Sequence, residues 1–560
     1  MKIKNIIKVQ ATAAIAVVAA LCCTSCNDDW NEHYDAGSVD SGTLWSAISA
    51  QSNVSNFANV VKACGYDAVL NGSQTFSVFA PTNDVFSSAQ ADSLIAVFNA
   101  QKAAGVKSDD NTVVKQFLQN HIALYNHPVS SLSNDSVTMM NGKYEVLTPN
   151  AIGSSNLLTT NALYSNGVLF TVGKQISYFP NVYEYLGLDA QTDSVYQFLT
   201  SFNKYEINES KSVPGDIVDG HTVYLDSVMN VSNVLFNQLG LLNSEDSTYW
   251  MIAPTNAEWT RMVEEYTPYF NYDAKVKQRD SLQFVNSRLA ILGGTVFSRT
   301  INPDEAFRDS AVSTSANSYL VRRMLDLDPY YVYYRPFDNG GVFSGTESVV
   351  CSNGEVRKAA NFGVSKFKSF MQTIKVEAES VRNQDSIVYA VDPLTVREVT
   401  TDNPFYDKVS GNSFVEIIPE TAGSRPEVYF SIPGVMANIP YDVYAVFVPV
   451  LAYDTLAVEE ATRPNLIRSS FWYNDKNGAG ASTKFMGAQP TDPSKVDTLL
   501  LAKDFVFPTC SYGLTDPQVR VQLISRVSAS QTATHTNTIR LDCIILKPHD
   551  VEATNDQDEN

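Results

Sequence analysis

Thr75-Phe76-Ser77-Val78-Phe79-Ala80-Pro81-Thr82-Asn83-Asp84-Val85-Phe86 returns 173 residues later as Thr248-Tyr249-Trp250-Met251-Ile252-Ala253-Pro254-Thr255-Asn256-Ala257-Glu258-Trp259. In both stretches an aromatic-rich run suited to a strand meets Ala-Pro-Thr-Asn. Proline ends a strand ladder because it has no N–H to give, and the Thr or Asn behind it caps a helix. An offset of 173 residues is far longer than a solenoid period, so the repeat marks tandem domains.

The same unit can be followed outward. Leu44-Trp45-Ser46-Ala47-Ile48 and Phe57-Ala58-Asn59-Val60-Val61 read as amphipathic helices upstream of the first copy. Downstream, Val114, Phe117, Leu118 and His121 fall at helical spacing, and Ser165-Asn166-Gly167-Val168-Leu169-Phe170 reads as a closing hairpin. Ser352-Asn353-Gly354 takes the hairpin's place in the second copy. This set resembles the fasciclin domain, whose first signature is Thr-x-Phe-Ala-Pro-Thr-Asn-x-Ala-Phe, over residues 39–375. In the second copy the helix Phe284–Leu289 is expected to put Arg288 where the first has His121. The family's Tyr-His pair, linked in animal members to integrin binding, is absent, because Asn120 precedes His121. An insertion is expected between Thr300 and Asn361.

From Glu377 the text changes to strands. Tyr441–Val448 is apolar on both faces, as in a strand covered on both sides, whereas Val519–Val527 alternates apolar and polar. Many short strands with Pro, Gly and Asn turns indicate an antiparallel β-sandwich. Val376-Glu377-Ala378-Glu379 and Leu541-Asp542-Cys543-Ile544-Ile545 resemble the ends of galactose-binding-like jelly rolls. The expected fold class is therefore α+β, with two tandem fasciclin-like domains (39–186 and 187–375) ahead of a β-sandwich (376–548) and an acidic tail (549–560).

Lys2, Lys4 and Lys8 precede an apolar run from Ala11 to Cys23, too short to span a bilayer and suited to a signal peptide over 1–25. Its end, Cys23-Thr24-Ser25-Cys26, resembles a lipoprotein acceptor site, which implies lipid on Cys26; a cleaved signal with a chance cysteine is the alternative. The acidic Asn27-Asp28-Asp29 opening the tether 26–38 resembles a surface-export signal. The expected location is the outer membrane, lipid-anchored, at the cell surface.

The chain carries 40 Lys+Arg against 60 Asp+Glu, a net charge of −20 that repels phosphate backbones and excludes nucleic acid as a natural partner. Six scattered histidines show no metal-ligand spacing, and no nucleophile elbow, Walker loop or dinucleotide fingerprint occurs. No catalytic residue, metal site or cofactor is assigned. An oxidising compartment permits pairing, with Cys510 and Cys543 the first candidates, and buried free thiols stand as an equal reading. His121 reads as a ligand-surface group or as a satisfied core group.

Two aromatic clusters suit stacking on sugar rings, and equally suit strands with one face in a core. One holds Tyr330, Tyr331, Tyr333, Tyr334 and Phe337. The other is Trp472-Tyr473 with Asn474 and Asp475, whose polar groups suit hydroxyls. Asp-(Ser/Thr)-aliphatic or Thr also recurs ten times, resembling an O-glycosylation acceptor; Ser136, Ser386 and Thr498 stand at strands, where helix capping does not explain it. The expected function is non-catalytic: adhesion, or binding of an extracellular glycan or protein, by a membrane-attached lipoprotein. The alternatives are an accessory glycan-binding lipoprotein of a polysaccharide-uptake system and, third, a glycoside hydrolase.

Overall fold

The computed structural model describes residues 42–550, apart from Ser133, 208–212, 219–220, 227–228, 300–309, 314–331, Met486 and Pro517. Cys26, the tether and residues 551–560 of the tail lie outside the described residues. The chain divides into two compact units between Pro180 and Asn181. The division falls just ahead of the boundary expected at 186, because Asn181 caps the helix Val182–Leu188.

In the first unit the motif strand Phe76–Pro81 runs parallel to Gly167–Val172 and antiparallel to Ile122–Leu124, within a seven-stranded sheet. All six of its residues are buried. Phe76, Val78 and Ala80 enter one apolar cluster with the helices Leu44–Ala50 and Ser55–Ala63, while Phe79 stacks on Phe170 in another. This is the period-two alternation of a strand covered on both faces.

The second unit begins with the same arrangement. Tyr249–Pro254 lies parallel to Gly354–Ala359 and antiparallel to Val296–Ser298, in matching register: Phe76 faces Leu124 and Gly167, and Tyr249 faces Ser298 and Gly354. Register corrects one expectation. The residue before Val296 is Thr295, so Thr295, not Arg288, takes the place of His121 before Ile122. Arg288 lies seven residues earlier, inside the helix Arg279–Leu292, and stacks on Phe284, 3.7 Å from the ring centroid. Helical spacing alone had set that alignment, and a helix can slide by whole turns without losing its apolar face.

The length difference between the copies also sits elsewhere. Corresponding helices start at Leu44 and Val182, 138 apart, but corresponding strands start at Phe76 and Tyr249, 173 apart. Most of this 35-residue difference enters between the helices Asp193–Thr200 and Phe236–Leu239. There Asn203–Ile207 pairs Met229–Asn233 and Val213–Val218 pairs His221–Asp226. Between the strands ending at Ser298 and starting at Gly354, the second copy is only 13 residues longer than the first is between Leu124 and Gly167.

Two antiparallel six-stranded sheets follow. One contains Ser413–Ile417, Ile539–Pro548, Pro440–Phe447 and Asp497–Val506; the other contains Gln384–Val388, Glu427–Ile432, Val519–Ser525, Leu466–Asn474 and Gly480–Ser482. Pro440–Phe447 lies between Ile539–Pro548 and Asp497–Val506, and six of its eight residues are buried, in line with its two-faced apolar pattern. One apolar cluster runs from Val182 and Leu186 through Phe270 and Tyr272 to Cys510, Val521 and Leu546, so the second copy and the sandwich share a core. Cys510 and Cys543 are both buried and free, which is the second of the two readings their sequence positions left open.

Candidate functional site

The outer face of the second sandwich sheet carries the most ligand-like arrangement. Directly opposed residues of antiparallel strands share a face. Trp472 opposes Arg520, which opposes Ser431; Ser470 opposes Gln522, which opposes Tyr429, and Ser386 follows on the next strand. Trp472 is 40% exposed, high for a large aromatic side chain. Its ring meets Tyr429 edge-on, with centroids 6.1 Å apart.

Polar groups fix this platform. Trp472 Nε1 donates to Gln522 Oε1 at 2.9 Å, and Gln522 Nε2 donates to Tyr429 Oη at 2.7 Å and to Glu427. Tyr429 in turn donates to Glu427 Oε1 at 2.6 Å. Burial, with Glu427 nearby, pushes the Tyr429 phenol well above its ordinary range and keeps it a neutral donor. Arg520 pairs with Asp385 at 2.9 Å. Arg468, on the same face, stacks over Phe485 with 5.3 Å to the centroid. The face thus offers one open indole among charged and amide groups already held in place, which suits a ring with apolar faces and hydroxyl edges.

The rest of that cluster serves the structure. Tyr473 points the other way, as the next strand residue must, and packs on Phe505 and Phe507. Asn474 donates to Asp273 and Gln518, at 3.0 and 3.1 Å. Asp475 accepts from the N–H groups of Asn477 and Ala479, closing its own turn. Sequence reasoning missed Tyr429, Glu427 and Gln522. They lie on separate strands, and only alternation combined with the strand order could have gathered them.

In the first aromatic cluster Tyr330 and Tyr331 lie outside the described residues. Tyr333 is buried against Phe297, while Tyr334 and Phe337 are exposed, with Arg357 over the Phe337 ring. Ser136, Ser386 and Thr498 are all exposed, each near the start of an edge strand. His121 is fully buried. Its Nδ1 meets Phe117 O at 2.8 Å and its Nε2 accepts from Ile176 N–H at 3.0 Å. One nitrogen must donate and the other accept, so the ring is neutral, and burial pushes its pKa down to about 4. It is a core group. A shallow groove of about 620 Å³ lies beside it, lined by Leu94, Val97, Phe117, Ile176 and Tyr178.

A second cavity, of about 610 Å³, lies at the other sandwich sheet and includes Lys375, Glu377, Glu379, Ser410, Thr498 and Asp542. Ser410 N–H donates to both Asp542 oxygens at 3.2 Å, and Ser410 Oγ donates to Glu377 at 2.7 Å. Burial, against the Ser410 bond and with Glu377 and Glu379 adding repulsion, raises Asp542 to about 7. Two groups of described residues are close enough to share a cation: Glu377, Asp542 and Cys543, and Asp442, Asp504 and His549. The thiol in the first is held protonated by burial, which suits it poorly to a hard ion.

The fold defined by this geometry is α+β, with a repeated helix-and-sheet unit and a β-sandwich. Residues 52–177 match the sequence profile of the Fasciclin domain family. Among solved structures, the chain is similar to a FAS1 domain pair from the insect cell adhesion molecule fasciclin I. The two are 13% identical, over 57% of this chain and 98% of that one, with a TM-score of 0.19. It is also similar to the CBM22-1 xylan-binding domain of Paenibacillus barcinonensis Xyn10C, 14% identical over 32% and 95% of the two chains, with a TM-score of 0.20. A third similarity is to the family 11 carbohydrate-binding module of Clostridium thermocellum in complex with a β-1,3-1,4-mixed-linked tetrasaccharide (13%, 31% and 95%, TM-score 0.16). No curated protein matches the chain.

Proposed function

We propose that this chain is a non-catalytic binding protein of the cell envelope that reads an extracellular glycan on the outer face of its β-sandwich. The observation that carries this reading is the exposed indole of Trp472, held by Gln522 and flanked by Tyr429, Glu427 and the Arg520–Asp385 pair. Lipid on Cys26 would hold the protein in the outer membrane with the face outward, and glycans on Ser136, Ser386 and Thr498 would decorate accessible edge strands. The same arrangement serves adhesion or an accessory role in polysaccharide uptake; the identity of the glycan separates these. The Fasciclin match at 52–177 favours an adhesive role for the first unit.

The test is calorimetric titration of the full chain with soluble polysaccharides. Trp472→Ala is expected to weaken the binding about tenfold or more, with a small fall in melting temperature from the lost Gln522 hydrogen bond and Tyr429 contact and no loss of the folded state. Undiminished binding by Trp472→Ala, or no binding of any glycan by the native chain, would overturn the proposal.

A further inference from the structure

Trp472 stands on a hairpin whose outer strand, Gly480–Ser482, is only three residues long and forms the edge of its sheet. So short an edge strand holds little by itself. The sandwich ties the hairpin tip through Gln518 and Thr509, which bond Asn474, and the second fasciclin-like copy adds a further set of tethers. Asp273, 2% exposed, accepts from Asn474 Nδ2 through Oδ2 at 3.0 Å and from the Lys275 N–H through Oδ1 at 2.8 Å. Ala274 N–H donates to Lys476 O at 3.1 Å, in the tip itself. Gly478 closes the tip at φ +76°, and a Cβ there would stand 2.8 Å from Asp273 Oδ1. The neighbouring residues extend the seam: Asn271 O accepts from Cys510 N–H at 2.8 Å, and Tyr272 Oη donates to Tyr512 O at 2.8 Å.

We infer that Asp273 is a positioning residue for the binding face, and that the second fasciclin-like copy serves the sandwich as the buttress of its Trp472 hairpin. This rests on the reading of that face as a glycan surface. Asp273 touches no part of that surface. It fixes Asn474, two residues past Trp472, where pairing with the inner strand ends at Trp472–Arg520, and so holds the end of the strand on which the indole stands. A buried carboxylate accepting from a side-chain amide is a strong, directional tether, and a binding aromatic must be held in place to be effective.

The experiment uses the full chain with four substitutions: Asp273→Ala, the exchange Asp273→Asn with Asn474→Asp, Asn353→Ala and Trp472→Phe. Asn353→Ala destabilises the second copy away from the seam. Asp273→Ala is expected to weaken glycan binding about tenfold, and to make the fluorescence that Trp472→Phe removes more accessible to quencher. Hydrogen exchange should rise over residues 474–483. The exchange variant restores a donor–acceptor pair and is expected to recover most of the affinity. Asn353→Ala is expected to lower the melting temperature without changing affinity or exchange at the hairpin. The inference is overturned if Asp273→Ala leaves quenching and exchange at the native level, or if Asn353→Ala weakens binding as much. If Asp273→Ala loosens the hairpin and no glycan binds even the native chain, the proposed function falls, and the inferred role of Asp273 with it.

Discussion

Asn166 and Asn353 do identical work in the two copies. Asn166 Oδ1 accepts from Leu44 N–H at 2.8 Å, and its Nδ2 donates to the carbonyls of Leu70 and Gly72, both at 2.8 Å. Asn353 accepts from Val182 N–H and donates to Leu242 and Ser244 carbonyls, all at 2.8 Å. One amide thus satisfies the start of the first helix and the end of the loop before the central strand. The second motif asparagine behaves likewise: Asn83 bridges Asn56 N–H and Ser52 O, and Asn256 bridges Ser194 N–H and Ala190 O. Both closing asparagines are buried, so Asn166→Ala and Asn353→Ala each strand three backbone groups. Each is expected to cost about 2–4 kcal/mol of unfolding free energy in a denaturant titration, whereas an exposed asparagine such as Asn99 should cost almost nothing. His121 shows the limit of reading residues alone. Its helical spacing is visible in the sequence, but its two backbone partners, Phe117 and Ile176, come from different segments.

At the scale of elements, the glycine after each of those asparagines is decisive. Gly167 and Gly354 have φ near +145° (147° and 143°), where side chains other than hydrogen are strained. A Cβ would also stand 2.0 Å from Phe76 O in the first copy and 1.9 Å from Tyr249 O in the second. These glycines let the parallel strand come beside the motif strand, so Gly354→Ala is expected to destabilise by more than about 3 kcal/mol, measured as a shift in the denaturation midpoint. The pairing is legible in the sequence because Ser-Asn-Gly and Ala-Pro-Thr-Asn both encode backbone constraints. The sandwich strands were legible too, through alternation. The binding face was only partly so: Trp472 declares itself, but Tyr473, Asn474 and Asp475 took their roles from alternation, from Asp273 and from a turn. Nothing in the local text of 201–235 signals its hairpins as an insertion, since that requires knowing where the first copy's helices end. The sandwich core also holds a buried charge that patterning does not reveal. Glu416, 4% exposed, is clamped by Arg397 at 2.7 Å and Arg540 at 2.9 Å and accepts from Tyr453 Oη at 2.9 Å. Burial raises its pKa, but the two guanidiniums outweigh this and hold the carboxyl below its ordinary value.

The chain forms two compact units, not three, because among the described residues 268–275 are built into the sandwich and one apolar cluster crosses from the second copy into it. Calorimetry of the full chain is therefore expected to show two unfolding transitions. Their pH responses should be opposite. In the first unit His121 falls from 6.5 to about 4, so between these values the unfolded chain binds a proton that the folded chain refuses. Its contribution, about 3 kcal/mol, is complete above pH 6.5 and is lost as the pH falls toward 4. Burial raises Glu145 in the same unit, which acts in the opposite sense but titrates from a lower starting value. In the second unit Asp542 rises from 3.8 to about 7, so the folded chain holds a proton that the unfolded chain has released. That stabilisation is complete below pH 3.8 and is lost as the pH rises through 7; Glu379, also raised by burial, acts the same way. Lowering the pH from 7 to 5 should then move the first unit's transition down and the second unit's up, with Asn166→Ala and Asn353→Ala identifying which is which. Asp542→Asn keeps an acceptor for Ser410 N–H and removes the proton, so it should flatten the second response and leave the first unchanged. Two transitions shifting together, or a third independent one, would mean that the buried histidine and the shared core do not govern stability as their geometry implies.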